Sequence, residues 1–343
     1  MRNWVLYIAA FASAFAITLL TTPLAKKISI KLGAIDYPKA RGMHTKPMPR
    51  MGGIAIVLGF MVTVLMLFPF VTGIEIKEFV GLVIGSLIIV VLGIVDDIHN
   101  LRARVKLFAQ ILAALIVVLS GIRINVVFWP FTAALEKLSI PLTMIWIIGV
   151  TNAVNLIDGL DGLAAGVSSI AALSLMVLCI LTGSEEAVML TAAIAGSCLG
   201  FLPRNFNPAE IFMGDTGATF LGFVLSVASI IGVFKGYAVF AVIVAILCLG
   251  LPVFDTMFAM IRRIIRHKPI MQADRGHLHH RLIDRGYSQK QAVIILYGIS
   301  ISCGLVAILI ALRDIKVFIV LIATIVVLSL FIWAFNYYNK KNE

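Results

Sequence analysis

The stretch Thr151–Gly166, TNAVNLIDGLDGLAAG, places two asparagines, two aspartates and three glycines where two strongly apolar runs meet. Asn152, Asn155, Asp158 and Asp161 recur every three residues, so a helical chain carries them as a slowly drifting stripe on one face. Gly159 and Gly162 make the backbone pliable there and permit close approach by a ligand. A helix-capping turn uses an Asn or an Asp and has no need of four such groups in register.

The rest of the chain says what kind of protein carries the stripe. Of 343 residues, 61% are hydrophobic and 13% charged, against roughly 45–50% and 25% in soluble domains. The composition predicts an all-α, polytopic integral membrane helical bundle. About 20 apolar residues cross a bilayer core. That rule predicts eleven transmembrane helices, near 4–24, 51–71, 78–95, 105–121, 139–154, 163–182, 187–202, 211–232, 237–261, 291–312 and 316–336. One membrane domain then occupies residues 1–343. Arg2 and the ASA at Ala12–Ala14 faintly resemble a signal peptide, but the apolar run continues to Leu24 and reads as a retained helix. Cys179, Cys198, Cys248 and Cys303 sit singly in apolar runs and read as small hydrophobes.

Orientation follows from the basic residues. One alternating set of loops (25–50, 96–106, 155–162, 203–210, 262–290 and 337–343) holds 21 of the 28 Lys and Arg, which makes that set cytoplasmic. Asp96, Asp97, Asp158, Asp161, Asp215, Asp255, Asp274 and Asp284 fall on the same side. A positive-inside surface explains Lys and Arg but not carboxylates gathered at helix ends, and ionisable groups at the hydrocarbon edge are functional candidates. The formal charge of +11 points to a lipid bilayer with anionic headgroups or to phosphorylated substrates, with no nucleic acid implied.

Three further constellations accompany the opening stretch. In GIVDDIHNLRARVK, the adjacent Asp96 and Asp97 are costly unless a cation lies between them or one holds a proton. Hard oxygen donors of this kind suit Mg²⁺, and Lys106 reads as a phosphate-binding cation. In NFNPAEIFMGDTGATFLGF, Asp215 stands in a Gly-rich turn that opens a span. It reads either as a helix N-cap or as another oxygen donor, beside backbone N–H groups able to meet an anion. In the long basic loop, His277, His279 and His280 lie among Arg275, Arg281 and Arg285. His277 and His280 share a helical face while His279 does not, and no Cys is near, which argues against zinc. Donors to a diphosphate or nucleotide fit better.

Two stretches carry weaker signals. His44, Lys46 and Arg50 in DYPKARGMHTKPMPRMGG suit anionic lipid as well as they suit substrate, and Pro252 in LGLPVFDTMFAMIRRIIR predicts a kinked or broken helix near Asp255. The chain has no GxxxxGK[ST] loop, so it is not a P-loop NTPase. Positive loops with Asp and Asn at one membrane face suit phosphoryl transfer between a soluble and a lipid substrate. A transporter calls for internal repeats and midplane polar groups, and a lipid-binding scaffold leaves the Asp/Asn stripe without a purpose.

VDDIHNLRARVK, NAVNLIDGLDGLAAG, FNPAEIFMGDTGA, HLHHRL and HTKPMPRMGG together resemble the polyprenyl-phosphate N-acetylhexosamine-1-phosphate transferases, over nearly the whole chain and in family order. The HxHH arrangement and the PxPRxGG loop look more like the bacterial undecaprenyl-phosphate GlcNAc-1-phosphate transferases than like the phospho-MurNAc-pentapeptide transferases. The resemblance implies a multi-pass protein of the bacterial cytoplasmic membrane with its active site on the cytoplasmic face. It also implies UDP-GlcNAc and undecaprenyl phosphate as substrates, Mg²⁺ (with Mn²⁺ as a substitute) as cofactor, and a homodimer as a candidate assembly. Carried onto this sequence, it makes Asn155 and Asp215 metal ligands. Asp96 becomes the base, with Asp97, Asp158 and Asp161 as further catalytic-site residues. Lys106, Asn152, His277, His279, His280 and Arg281 become substrate-binding residues.

Overall fold

The computed structural model describes residues 3–38, 46–71, 73, 75–124, 132–233, 238–265 and 277–312. The expected span at 316–336, and with it His44, Asp274 and Arg275, lies outside these residues. The described chain is helical, as expected: α1 (Trp4–Lys31), α2 (Gly53–Leu67), α3 (Ile76–His99), α4 (Ala103–Leu119), α5 (Thr132–Ile157), α6 (Leu163–Thr182), α7 (Glu185–Asn205), α8 (Gly214–Val233), α9 (Ala238–Cys248), α10 (Gly250–Ile265), α11 (Leu278–Asp284) and α12 (Gln289–Ala311). Eight helices among the described residues are long and apolar enough to cross a membrane. The span expected at 105–121 is α4, with 17 residues.

The span expected at 237–261 carries the break that Pro252 predicts: it is divided into α9 and α10 at Leu249. Pro252 has no N–H to offer the carbonyl four residues back, so the ladder is interrupted beside Gly250. A short hairpin is a departure. β1 (Ile35–Asp36) pairs antiparallel with β2 (Met48–Pro49), Ile35 opposite Pro49.

Helix α8 is the axis of the bundle: every residue from Thr216 to Val233 is buried, and it packs against α2, α3, α5, α6, α7 and α9. Apolar packing alone gives little preference between lipid and protein partners, so close backbone approach through small residues has to select the neighbours. A Cβ on Gly53 of α2 would fall 2.1 Å from the nitrogen of Gly217, one on Gly93 of α3 would fall 2.4 Å from the Cα of Thr216, and one on Gly222 would fall 2.6 Å from the Cα of Thr151 in α5. Three helices therefore meet α8 backbone to backbone. Asp97 lies one turn beyond Gly93, and Asn155 one turn beyond Thr151, so the same contacts carry the polar residues to the start of α8.

Candidate active site

The ends of α3 and α5 and the starts of α4 and α8 converge at one end of the bundle. There Asp97 closes the N-terminus of α8. Its Oδ1 accepts the N–H of Asp215 (2.9 Å), and its Oδ2 accepts both the N–H (3.0 Å) and the hydroxyl (2.6 Å) of Thr216. The anion expected at this helix end is thus a side chain of the protein itself, 2% exposed, and Asp215 lies in the first helical turn rather than at the N-cap. The adjacent Asp96 turns the other way: its Oδ1 accepts the N–H of Leu101 (2.6 Å), and its Oδ2 meets Lys106 Nζ at 2.5 Å. The Lys106 ammonium also bonds the Asp215 carboxylate, so one cation bridges two of the predicted acids.

Pliable backbone carries the middle of the site. Helix α5 ends at Ile157, so the Asn/Asp stripe is helical through Asn155 and then passes into a turn containing Asp158 and Asp161. Burial, with the negative charges of Asp215, Asp97 and Asp161 beside it, pushes the Asp158 carboxyl up to about 8. Asp161 accepts the N–H of Ala209 and the amide of Asn207, both at 3.1 Å, which ties this turn to the approach to α8.

A cavity of about 300 Å³ opens between these elements. Of the predicted residues, Asp97, Asp158, Asp161, Asp215 and His280 line it, with Asp36, Arg50, Asn205 and Gln289 beside them. Asp96 and Lys106 join through the Asp215 bridge. Asn152 does not reach the lining. Its amide pairs with Gln110 of α4, donating to Gln110 Oε1 at 2.7 Å, which is the kind of clasp that joins apolar helices. Asn155 is half-buried one turn before Asp158, and no side-chain hydrogen bond is recorded for it among the described residues.

The HLHHR motif is divided among four surroundings. His277 precedes α11 in extended backbone, which ends the expected sharing of a helical face with His280, and its Nδ1 lies 2.8 Å from Asp255 Oδ2. His279 is 3% exposed and rests on the DGLDG turn, where a Cβ on Gly159 would fall 2.5 Å from its Nε2. Burial, followed by the charges of His280 and His277, pulls the His279 imidazole down to about 4. His280 faces the cavity, while Arg281 lines a separate cavity of about 280 Å³ with Asp255 and Arg262.

Arg50, which in the sequence suits anionic lipid as well as substrate, lines the cavity. The loop that carries it is stitched to the start of α8 by Phe212 N–H to Pro49 O (2.8 Å), Gly52 N–H to Phe212 O (2.9 Å) and Gly53 N–H to Met213 O (2.8 Å). Arg50 Nε then donates to the Asp97 carbonyl at 2.8 Å. The signal was the PR-x-GG run, whose glycines permit the close pairing.

The donor set is suited to a hard divalent cation. Among the described residues no three His, Cys, Asp or Glu side chains already converge as metal ligands, but Mg²⁺ needs only one or two carboxylates when phosphate oxygens and water complete its shell. Asp215 and Asp158 line the cavity and carry carboxylate oxygens, while Asn155, one turn before Asp158 and outside the lining, carries an amide oxygen.

The fold and this site define an all-α polytopic membrane protein with a Lys-bridged, carboxylate-rich pocket at one end of its bundle. The chain belongs to glycosyl transferase family 4, whose description matches residues 79–233. A Bacillus subtilis protein named as a probable undecaprenyl-phosphate N-acetylglucosaminyl 1-phosphate transferase is 40% identical, over 88% of this chain and 84% of that protein. A decaprenyl-phosphate N-acetylglucosaminephosphotransferase of Mycolicibacterium smegmatis is 33% identical over 83% and 77%. A phospho-N-acetylmuramoyl-pentapeptide-transferase of Borreliella burgdorferi is 29% identical over 92% and 97%.

Proposed function

We propose that the protein transfers N-acetylglucosamine 1-phosphate from UDP-GlcNAc to undecaprenyl phosphate, with Mg²⁺, at the cytoplasmic face of a bacterial cytoplasmic membrane. The observation that carries the reading is the gathering of Asp97, Asp158 and Asp215 around one cavity, with Asp96 and Lys106 bridged to it through Asp215, from α3, α4, α8 and the turn after α5, in a chain 40% identical to a protein named as a probable transferase of this kind. A wholly apolar groove of about 480 Å³ along α3 and α4 includes Val95, Leu101 and Val105, immediate neighbours of Asp96 and Lys106, as suits a substrate with a hydrocarbon tail.

In the reaction, an oxygen of the lipid phosphate attacks the β-phosphorus of UDP-GlcNAc. The bond from that phosphorus to the bridging oxygen breaks, and UMP leaves with the oxygen. One phosphoanhydride replaces another, so the protein has to supply position and charge neutralisation rather than energy. Asp96 takes the lipid phosphate proton where one is present, and Lys106 holds phosphate oxygens beside it. Asp97 has three donors on its two oxygens and serves as the organiser of α8 rather than as the base. Asp215, Asp158 and Asn155 would hold Mg²⁺, which when bound draws charge from the diphosphate oxygens. Arg50 and His280 offer donors to the nucleotide diphosphate.

Formation of undecaprenyl-diphospho-GlcNAc from radiolabelled UDP-GlcNAc by the purified protein tests the proposal. Product is expected with Mg²⁺ and none with EDTA. Product formed equally well in EDTA overturns the metal assignment, and no product from folded protein overturns the reaction.

A further inference from the structure

Asp255 lies outside the catalytic cavity and is only 5% exposed. A buried carboxylate is retained only when its hydrogen bonds are satisfied, and Asp255, which lines the second cavity with Arg262 and Arg281, turns both oxygens to the start of α11. Its Oδ2 lies 2.8 Å from His277 Nδ1, and its Oδ1 accepts the N–H of Leu278 at 2.9 Å. A carboxylate facing an imidazole at this distance accepts a hydrogen bond, so Nδ1 carries the proton.

The clasp falls at the start of α11, a helix of seven residues. Helices this short do not hold themselves in place and take their position from outside contacts. Leu278, Leu282 and Ile283 pack on the bundle core, and Asp255 fixes the first turn. Two residues beyond His277, His279 settles against Gly159 of the DGLDG turn, and His280 enters the cavity.

We infer that Asp255 is a positioning residue of the transferase: by fixing His277 and the first N–H of α11, it sets His280 in the wall of the cavity. The inference rests on reading that cavity as the UDP-GlcNAc site. Nothing in the geometry brings Asp255 to the reacting atoms, so the effect falls on nucleotide affinity rather than on the chemical step.

The experiment compares wild type with D255A, H277A and H277N, all as folded full-length protein in detergent. It measures kcat, KM for UDP-GlcNAc, KM for undecaprenyl phosphate and, without turnover, the Kd for UMP. D255A and H277A should raise KM for UDP-GlcNAc and Kd for UMP by about tenfold, with kcat and the lipid KM moving less than about threefold. H277N places an amide N–H where Nδ1–H stood, so it should recover most of the affinity that H277A loses. D255A or H277A protein with wild-type KM and Kd, altered only in melting temperature, overturns the inference and leaves Asp255 a structural residue. If D255A does not fold, the H277A and H277N pair decides alone: equal affinities in the two overturn the inference. A wild-type protein that neither turns over UDP-GlcNAc nor binds UMP fails the functional reading and the inference with it. An active wild type beside variants that match it fails the inference alone.

Discussion

The Asp97 carboxylate receives both the backbone N–H and the hydroxyl of Thr216, at 3.0 and 2.6 Å, and so ties the end of α3 to the start of the most deeply buried helix. Asp97→Asn places an amide N–H₂ against donors and leaves a buried group unsatisfied. It should destabilise the detergent-solubilised protein by about 1–3 kcal/mol and abolish UMP release. Thr216→Val removes one of the three hydrogen bonds, costs about 1 kcal/mol and should leave measurable turnover. Thermal melts with product assays on the same samples check both, and an Asp97→Asn protein of wild-type stability contradicts this role.

Lys106 is the cation between Asp96 and Asp215. Lys106→Met leaves two facing carboxylates without their counterion, so the site should bind Mg²⁺ more tightly while UMP release falls by about two orders of magnitude. Titrating the melting temperature with Mg²⁺ separates the effects: the variant should gain more stability from the metal than wild type does.

Gly159→Ala tests the contact between the DGLDG turn and α11. The added methyl would stand 2.5 Å from His279 Nε2, which has to move and take His280 with it. Activity should drop by about tenfold or more with a melting temperature close to wild type. Unchanged KM for UDP-GlcNAc would contradict the placement of His280.

How far the sequence discloses this site depends on which physical rule each residue obeys. The membrane class, the run of helices and the cavity residues Asp97, Asp158, Asp161 and Asp215 follow from apolar length and from the cost of carboxylates at helix ends, whereas Asp36, in the β1 strand of the hairpin, does not. Asn152 belongs to the same three-residue stripe as Asn155 and Asp158, yet it faces Gln110, because periodicity gives a face and not the neighbour across from it. Arg50 enters the cavity only through backbone pairing between residues 49–53 and 212–213, which leaves no periodic trace. The HLHHR motif reads as one cluster of donors, but a helix that starts after His277 sends its side chains to different cavities. Pro252 foretells the break in the ninth span, and the partner of Asp255 comes from 22 residues further along the chain.

Two shifted groups give opposite pH limbs. His279 is pulled from 6.5 to about 4, so the folded protein binds fewer protons than the unfolded chain between those values. Its contribution is complete above pH 6.5 and is lost as pH falls toward 4, by up to about 3 kcal/mol. Asp158 is raised from 3.8 to about 8, so its contribution is present below pH 3.8 and is lost as pH rises through 8. In metal-free buffer His279→Gln should flatten the acid limb of stability and Asp158→Asn the alkaline limb. Melts across pH 4–9 check both, and unchanged limbs in the two variants contradict the burial of these groups.

The most direct test of the central claim is UMP release from UDP-GlcNAc by purified wild-type and Asp215→Asn protein, each with and without undecaprenyl phosphate. Release by wild type only when the lipid phosphate is present, and none by folded Asp215→Asn, is the predicted result. Lipid-independent release, or an Asp215→Asn protein as active as wild type, would contradict the account.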